Sequence, residues 1–157
     1  MGETFRGAKI AIVHGARVLV FLRDDFTHIP FPAHWDFAGG GREGDETPEH
    51  CALRELHEEF GLRLTSERIV WRKIYADTEE DEAVSYFMVA FADARDLADL
   101  RLGDEGQCWD WMPVESFLTH PSAVPYLQVR LSDFLRERPG LTTAKSPPAQ
   151  PYPPPCD

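Results

Sequence analysis

The chain has 157 residues, a net charge of −11 and apolar residues at 43% of its positions. This length predicts one domain, and the charge argues against a nucleic-acid polymer as partner because it would repel the phosphate backbone. The apolar runs at 10–13 and 18–21 are too short to span a membrane and do not form a signal peptide, so we expect a cytoplasmic protein without a membrane partner.

Two β-rich runs open the chain, 8–13 and Arg17–Leu22, and the residues between them favour a hairpin. A proline-containing loop follows, and then a short extended piece at 35–37. The glycines at 39–41 predict a turn in which exposed backbone groups can approach a phosphate or a metal ion.

A helix is predicted directly after this glycine run. Thr47 suits the N-cap, Pro48 suits the first helical position, and Gly61 suits the stop after Phe60. At helical spacing the apolar residues form one stripe that should pack on a sheet. The members of this stripe are Ala52, Leu53, Leu56 and Phe60.

Strands are predicted at 69–75, 84–91 and 107–112, and a second helix at 126–136. The acidic run 79–82 is interpreted as a solvated turn between two of the strands. Strands on both sides of a central helix predict an α/β fold with a mixed sheet. The last residues, 139–157, hold seven of the 13 prolines and predict a flexible tail outside the domain 1–138.

The three cysteines, Cys51, Cys108 and Cys156, form no even set and show no CxxC spacing. Neither a disulfide nor a cysteine zinc site is therefore expected.

Three glutamates lie close together in the predicted helix. Glu55, Glu58 and Glu59 stand at i, i+3 and i+4, so their charges repel one another, and they lie toward the helix end where the macrodipole disfavours anions. A bound Mg²⁺ or Mn²⁺ would neutralise them. The alternative is an exposed acidic face that pairs with Arg54 and His57.

The whole segment resembles the Nudix box, the sequence motif of the Nudix hydrolases. Gly40 is followed after five residues by Glu46 and after seven more by Arg54-Glu55-Leu56-His57-Glu58-Glu59-Phe60-Gly61-Leu62. This matches GX5EX7REUXEEXGU, with U a bulky aliphatic residue, at every fixed position. The resemblance implies an α/β/α sandwich of the Nudix type, a Mg²⁺ cofactor that Mn²⁺ can replace, and hydrolysis of a diphosphate linkage.

By position in the motif, Glu58 and Glu59 resemble the main metal ligands. Glu55 resembles either a further ligand or the base that takes a proton from the attacking water. Arg54 resembles the residue that holds a glutamate in place. The carbonyl of Gly39 resembles a backbone metal ligand of the MutT-like branch, and Gly40 is the expected contact to the substrate phosphates.

Two residues outside the motif complete the expected site. Glu105, in the sequence Glu105-Gly106-Gln107 with Trp111 after it, resembles a further metal ligand of MutT-like members; a simple turn residue is the alternative. Arg23 resembles an arginine that contacts phosphate, and an ordinary exposed strand end is its alternative.

The resemblance leaves the substrate open. A nucleotide-like diphosphate is expected, and hydrolysis of a (d)NTP is favoured. Members that cleave ADP-ribose usually carry a proline shortly after the motif, whereas this chain has none between Pro48 and Pro113. The chain contains no asparagine, which argues against selective reading of 8-oxoguanine. The alternative function is a catalytically weak nucleotide sensor or regulator. A homodimer is left open.

Overall fold

The computed structural model describes residues 4–76 and 83–140. They belong to two compact units, one within Met1–Ala11 and Ala38–Arg101, the other within Ile12–Phe37 and Leu102–Asp157. The chain passes from the first unit to the second within strand β1 (Gly7–His14). The predicted acidic turn at 79–82 lies outside the described residues, as does the predicted tail beyond Gly140.

The first unit combines a helix with strands. Its elements after β1 are β4 (Ala38–Gly41), α1 (Pro48–Phe60), β5 (Ile69–Ala76) and β6 (Val84–Phe91), with short 3-10 segments at Ser66–Arg68 and Asp96–Asp99. Strand β4 pairs antiparallel with β1, from Gly7 opposite Gly41 to Ile10 opposite Ala38. Strands β5 and β6 form an antiparallel hairpin. The pairing of β4 fixes the chain directly before α1.

Helix α1 has the ends that its sequence predicts. The Thr47 hydroxyl accepts a hydrogen bond from the His50 N–H at 3.2 Å, and Pro48 occupies the first turn. Gly61 adopts a left-handed conformation with φ of 70°, and its N–H closes the last turn on the His57 carbonyl at 2.9 Å. A glycine is favoured there because a side chain is strained at this φ.

One face of α1 is buried. Ala52, Leu56 and Phe60 are fully buried, and burial of a side chain the size of Leu56 or Phe60 contributes about 1.5–3 kcal/mol. Leu53 is only half-buried, whereas Cys51 is buried and its thiol donates to the Gly40 carbonyl at 3.6 Å. Burial raises the pKa of the Cys51 thiol to about 11. The buried face therefore includes Cys51 and lies against β4.

The second unit is built around β2 (Arg17–Leu22). This strand pairs antiparallel with the end of β1, with β3 (Trp35–Asp36) and with β7 (Cys108–Pro113). Helices α2 (Val114–Thr119) and α3 (Pro125–Glu137) follow β7. Phe37 and Phe117, both fully buried, stack with ring centroids 4.5 Å apart.

The α/β class is confirmed, and three details differ from the sequence predictions. The glycines 39–41 form strand β4 rather than a turn, because the pairing with β1 satisfies their backbone groups. Helix α2 was not predicted, since its six residues hold too few turns to show a helical period. Cys108 is disulfide-bonded, because spacing along the chain does not limit which sulfurs meet in space.

No helix in the described part of the chain is long and apolar enough to cross a membrane.

Candidate functional site

Arg54 lies at the centre of a group of carboxylates, here called the Arg54 cluster. It donates to both oxygens of Glu46, from Nε at 2.6 Å and from Nη2 at 3.1 Å. Its Nη1 donates to Glu55 Oε1 at 3.0 Å and to Glu58 Oε2 at 3.1 Å. Glu43 Oε2 lies 3.5 Å from Nε. One guanidinium thus faces four carboxylates, so the ionised cluster carries excess negative charge.

The pair of Arg54 and Glu46 is the structural anchor of this cluster. Hydrogen bonds from Arg54 hold the pKa of Glu46 below its usual range, and those to Glu46 raise the pKa of Arg54. Both side chains are largely shielded, with exposures of 21% and 17%, so the fork-shaped contact is more than a solvated surface pair. Arg54 Nη2 also donates to the Gly41 carbonyl at 3.0 Å, which ties α1 to β4.

Glu55 lies directly against the backbone of Gly40. A Cβ atom on Gly40 would lie 2.6 Å from Glu55 Oε1 and 2.7 Å from its Cδ, closer than these atoms can approach. The absence of a side chain at Gly40 therefore leaves the space that the Glu55 carboxylate fills. This contact gives a physical reason for the glycine that opens the motif.

Glu59 is oriented by the neighbouring glycine. Its Oε1 accepts a hydrogen bond from the Gly39 N–H at 2.8 Å, and the residue is buried. Gly39 has φ of 145°, and a Cβ there would lie 2.3 Å from the Ala8 carbonyl oxygen. Both the backbone conformation and the crowding by β1 require glycine at this position.

The spacing of the three glutamates in the motif predicted one bare cluster, and the structure does not show it. Arg54 lies between Glu55 and Glu58, while Glu59 turns toward Gly39. Their environments also differ, because the Glu58 side chain is 55% exposed and that of Glu55 only 18%. Among the described residues, no group of three Asp, Glu, His or Cys side chains is arranged as it stands to hold a metal ion.

Arg23 lies in the second unit, just after β2, and it is held by its neighbours. Its Nη1 donates to Asp36 Oδ2 at 2.8 Å and its Nε to the Pro30 carbonyl at 2.9 Å. Asp36 is buried, so this ion pair fixes the direction of the Arg23 side chain. Its predicted contact to phosphate stays a prediction.

Glu105 is exposed and lies in a segment that is anchored near Arg23. The Gly106 N–H donates to Asp24 Oδ2 at 3.2 Å, and the Gln107 side chain donates to the Arg23 carbonyl at 2.8 Å. The backbone of this segment is thus fixed while the Glu105 carboxylate is accessible to solvent. Its role as a metal ligand stays a prediction.

A sequence model described as the NUDIX domain matches residues 4–131. The chain belongs to the NUDIX domain family. This confirms the family that the motif indicated, and the similarity to solved NUDIX structures confirms the α/β fold with a mixed sheet.

Among curated relatives, the chain is similar to the 8-oxo-dGTP diphosphatase of Proteus vulgaris, at 36% identity over 55 residues that cover 35% of the chain and 49% of that protein. It is also similar to the nucleoside triphosphatase NudI of Escherichia fergusonii, at 29% identity over 106 residues, which cover 62% of the chain and 73% of that protein. The chain thus spans about half the length of the first relative.

Among solved structures, the chain is similar to a bifunctional NMN adenylyltransferase/ADP ribose pyrophosphatase from Francisella tularensis, complexed with AMP and a manganese ion. The TM-score is 0.68 at 20% identity, and the match covers 87% of the chain and 42% of that protein. At this identity the likeness concerns the fold.

Two residues that shape this NUDIX domain were not singled out from the sequence. Gly7 lies where a Cβ would be 2.4 Å from the Gly40 carbonyl oxygen, and Asp36 is the buried partner of Arg23. A signal existed for Asp36, because an acidic residue between Trp35 and Phe37 has to find a partner when it is buried. No local signal marked Gly7, since its constraint comes from the strand opposite.

Proposed function

We propose that this NUDIX domain hydrolyses a phosphoanhydride bond in a nucleoside diphosphate linked to another moiety, with a divalent metal ion as cofactor. A nucleoside or deoxynucleoside triphosphate is the favoured substrate class. The products would then be a nucleoside monophosphate and inorganic diphosphate.

The Arg54 cluster is the observation that carries this proposal. Its carboxylates hold more negative charge than one guanidinium offsets. Carboxylates can lie next to a polyphosphate only when cations lie between the two. The excess of carboxylate is therefore expected of a site that binds metal.

The donor set fits a hard divalent cation, because carboxylate and carbonyl oxygens are the ligands that Mg²⁺ and Mn²⁺ prefer. Glu55, Glu58, Glu59 and the Gly39 carbonyl are the residues of the first unit that would hold it. When bound, such an ion supplies charge neutralisation of the diphosphate and lowers the pKa of a coordinated water.

The protein side chains would divide the remaining tasks. Glu55 Oε1 accepts from Arg54, so Oε2 is the oxygen proposed to take the proton of the attacking water. Arg54 would keep Glu55 and Glu58 oriented through its shared Nη1. Gly40 would contact the substrate phosphates through its backbone, next to the Glu55 carboxylate that fills the space left by its missing side chain.

The relatives support the substrate class. One is named an 8-oxo-dGTP diphosphatase and the other a nucleoside triphosphatase, so both act on nucleoside triphosphates. The absence of asparagine from this chain leads us to favour ordinary triphosphates over the oxidised base.

A turnover screen tests the proposal. Purified protein would be incubated with Mg²⁺ or Mn²⁺ and with each of the nucleoside triphosphates, 8-oxo-dGTP, ADP-ribose and dinucleoside polyphosphates, and phosphate and diphosphate release measured. We expect metal-dependent release from triphosphates. Cleavage of ADP-ribose alone would contradict the substrate class, and release that persists after metal removal would contradict the metal dependence.

The sensor alternative predicts a different result in the same screen. A regulator would bind one of these nucleotides, seen as a shift in melting temperature, without releasing phosphate from it. Binding without turnover, under conditions in which a known NUDIX hydrolase is active, would favour the sensor.

A further inference from the structure

A second cleft lies at the carboxyl end of α1, in the first unit. It has a volume of about 740 Å³, within the usual range of small-molecule sites. Three of its nine lining residues are arginines, and a fourth, His57, has an imidazole side chain. The lining residues are His57, Gly61, Arg63, Arg95, Asp96, Ala98, Asp99, Leu100 and Arg101. We call it the arginine cleft.

The balance of charge in this cleft is opposite to that of the chain. Arg63, Arg95 and Arg101 face two carboxylates, those of Asp96 and Asp99. Asp96 is already paired, because its Oδ2 lies 2.6 Å from Arg68 Nη2. The cleft therefore carries net positive charge in a protein whose formal net charge is −11.

The three arginines also lack strong partners within the described residues. Arg95 is 91% exposed and lies 3.5 Å from Asp93, which Arg68 also approaches at 3.7 Å. Arg63 and Arg101 make no side-chain ion pair in the part of the chain that the structure describes. Guanidinium groups left in this state have donors available for a ligand.

The position of Arg101 is fixed by its backbone. The Arg101 N–H donates to the Phe60 carbonyl at 3.0 Å, and its side chain passes over Gly61, where a Cβ would lie 3.2 Å from Arg101 Cγ. The last turn of α1 therefore orders this side of the cleft before any ligand binds, which lowers the entropic cost of binding.

We propose that the arginine cleft binds the phosphate groups of a small molecule, inorganic diphosphate or a nucleotide, without a metal ion. Arginine forms two parallel hydrogen bonds with phosphate oxygens, so three guanidiniums around one cleft match a doubly or triply charged anion. This inference does not rest on the proposed function, because it involves none of the residues of the Arg54 cluster.

The competing explanation is that these arginines only offset the negative end of the α1 dipole, as basic residues near a helix carboxyl terminus often do. In that case substitution would change stability slightly and would not change anion binding. The two explanations therefore separate in a binding measurement.

The test is calorimetric titration of the full chain with inorganic diphosphate and, in parallel, with AMP. Metal ions are first removed on a chelating resin, because a soluble chelator is itself an anion that would compete for the arginines. We expect one site with a Kd below about 1 mM. Binding of diphosphate but not of AMP would identify the simple anion as the ligand. Tighter binding of AMP than of diphosphate would identify a nucleotide as the ligand.

The variants are Arg63→Gln, Arg101→Gln and their double substitution, each checked by thermal melting. The matched control is the double substitution of Arg136 and Arg138 by glutamine, which removes the same charge from exposed positions on and after α3. Binding should weaken about tenfold or more in the cleft double variant and change little in the control.

Three results would overturn the proposal. The first is that neither anion binds at concentrations several times the expected Kd. The second is an equal loss of binding affinity in the cleft and control variants. The third is unchanged binding affinity in the cleft variants. Should Arg101→Gln unfold the protein, Arg63→Gln alone still decides, because Arg63 is exposed and its side chain makes no ion pair within the described residues. Binding that persists in Glu58→Gln would place the ligand outside the Arg54 cluster.

Discussion

Helix α1 faces opposite electrostatic environments beside its middle turns and beyond its last turn. Beside its middle turns, four carboxylates surround Arg54, whereas beyond its last turn three arginines line a cleft. Net charge describes neither region, since it would predict repulsion of phosphate everywhere on the chain. The contrast teaches that a phosphate ligand can be received by an acidic protein in two ways, through a bridging cation or through local arginines. The predictions below test this contrast, and the last of them concerns a segment outside both regions.

The largest effect is expected for Glu58→Gln, which keeps the shape of the side chain and removes its charge. If Glu58 holds the metal, turnover should fall by about 10²-fold or more at saturating Mg²⁺. Glu49→Gln is the control, because Glu49 lies in the same helix and pairs with Arg72 instead of Arg54. Initial rates on the best substrate of the screen decide. Wild-type turnover for Glu58→Gln would refute the metal-ligand role.

Arg54→Gln should cost more stability than Arg101→Gln. Removal of Arg54 leaves several carboxylates without their shared cation, and we expect the free energy of unfolding to fall by about 2 kcal/mol. Arg101 makes no side-chain ion pair in the described part of the chain, so its loss should cost less than about 1 kcal/mol. Urea unfolding at neutral pH measures both. Equal losses would show that Arg54 is not the anchor of its cluster.

Mg²⁺ should stabilise the folded protein by binding beside Arg54. At ten times its Kd, the ion should raise the free energy of unfolding by about 1.4 kcal/mol. The control is KCl at matched ionic strength, because screening alone would relieve repulsion among the carboxylates. Melting curves of wild type and of a Glu58→Gln, Glu59→Gln double variant provide the measurement. A shift of equal size in the double variant would argue against these ligands.

A fall in pH should weaken the ion pair between Arg54 and Glu46. Because hydrogen bonds from Arg54 lower the pKa of Glu46 in the folded state, the stability from this pair is present above the ordinary glutamate pKa of roughly 4.3. It is lost as the pH falls through the lower, folded-state pKa. The difference in unfolding free energy between wild type and Glu46→Gln should therefore shrink below this pH. A difference that stays constant down to pH 3 would contradict the pairing. The control variant is Glu67→Gln, at an exposed position.

The smallest effect is expected from truncation after Gly140, which should change turnover and melting temperature little. The removed segment is rich in proline and carries neither predicted ligands nor a residue of either α1 region. The comparison needs a reducing agent, so that the cysteines are thiols in both proteins. A large loss of activity would show that the segment belongs to the functional domain.

Much of the site was predictable because its constraints are local. Thr47, Pro48 and Gly61 set the ends of α1 through contacts within a few residues, and the spacing of the motif placed Glu55 and Glu58 beside Arg54. What could not be predicted depends on contacts between distant segments. The pairing of β4 with β1 turned an expected glycine loop into a strand, and it brought Gly7 against Gly40.

The sequence by itself determined the family, the acidic character of the helix and the helix ends, because a motif with fixed spacing encodes them within one continuous segment. The tertiary structure alone decided which partner Glu59 takes. Glu59 turns to the Gly39 N–H because β4 presents that group to the helix, and Arg101 meets the end of α1 although about 40 residues separate them along the chain. The arginine cleft exists for the same reason, since its residues come from segments that only folding brings together.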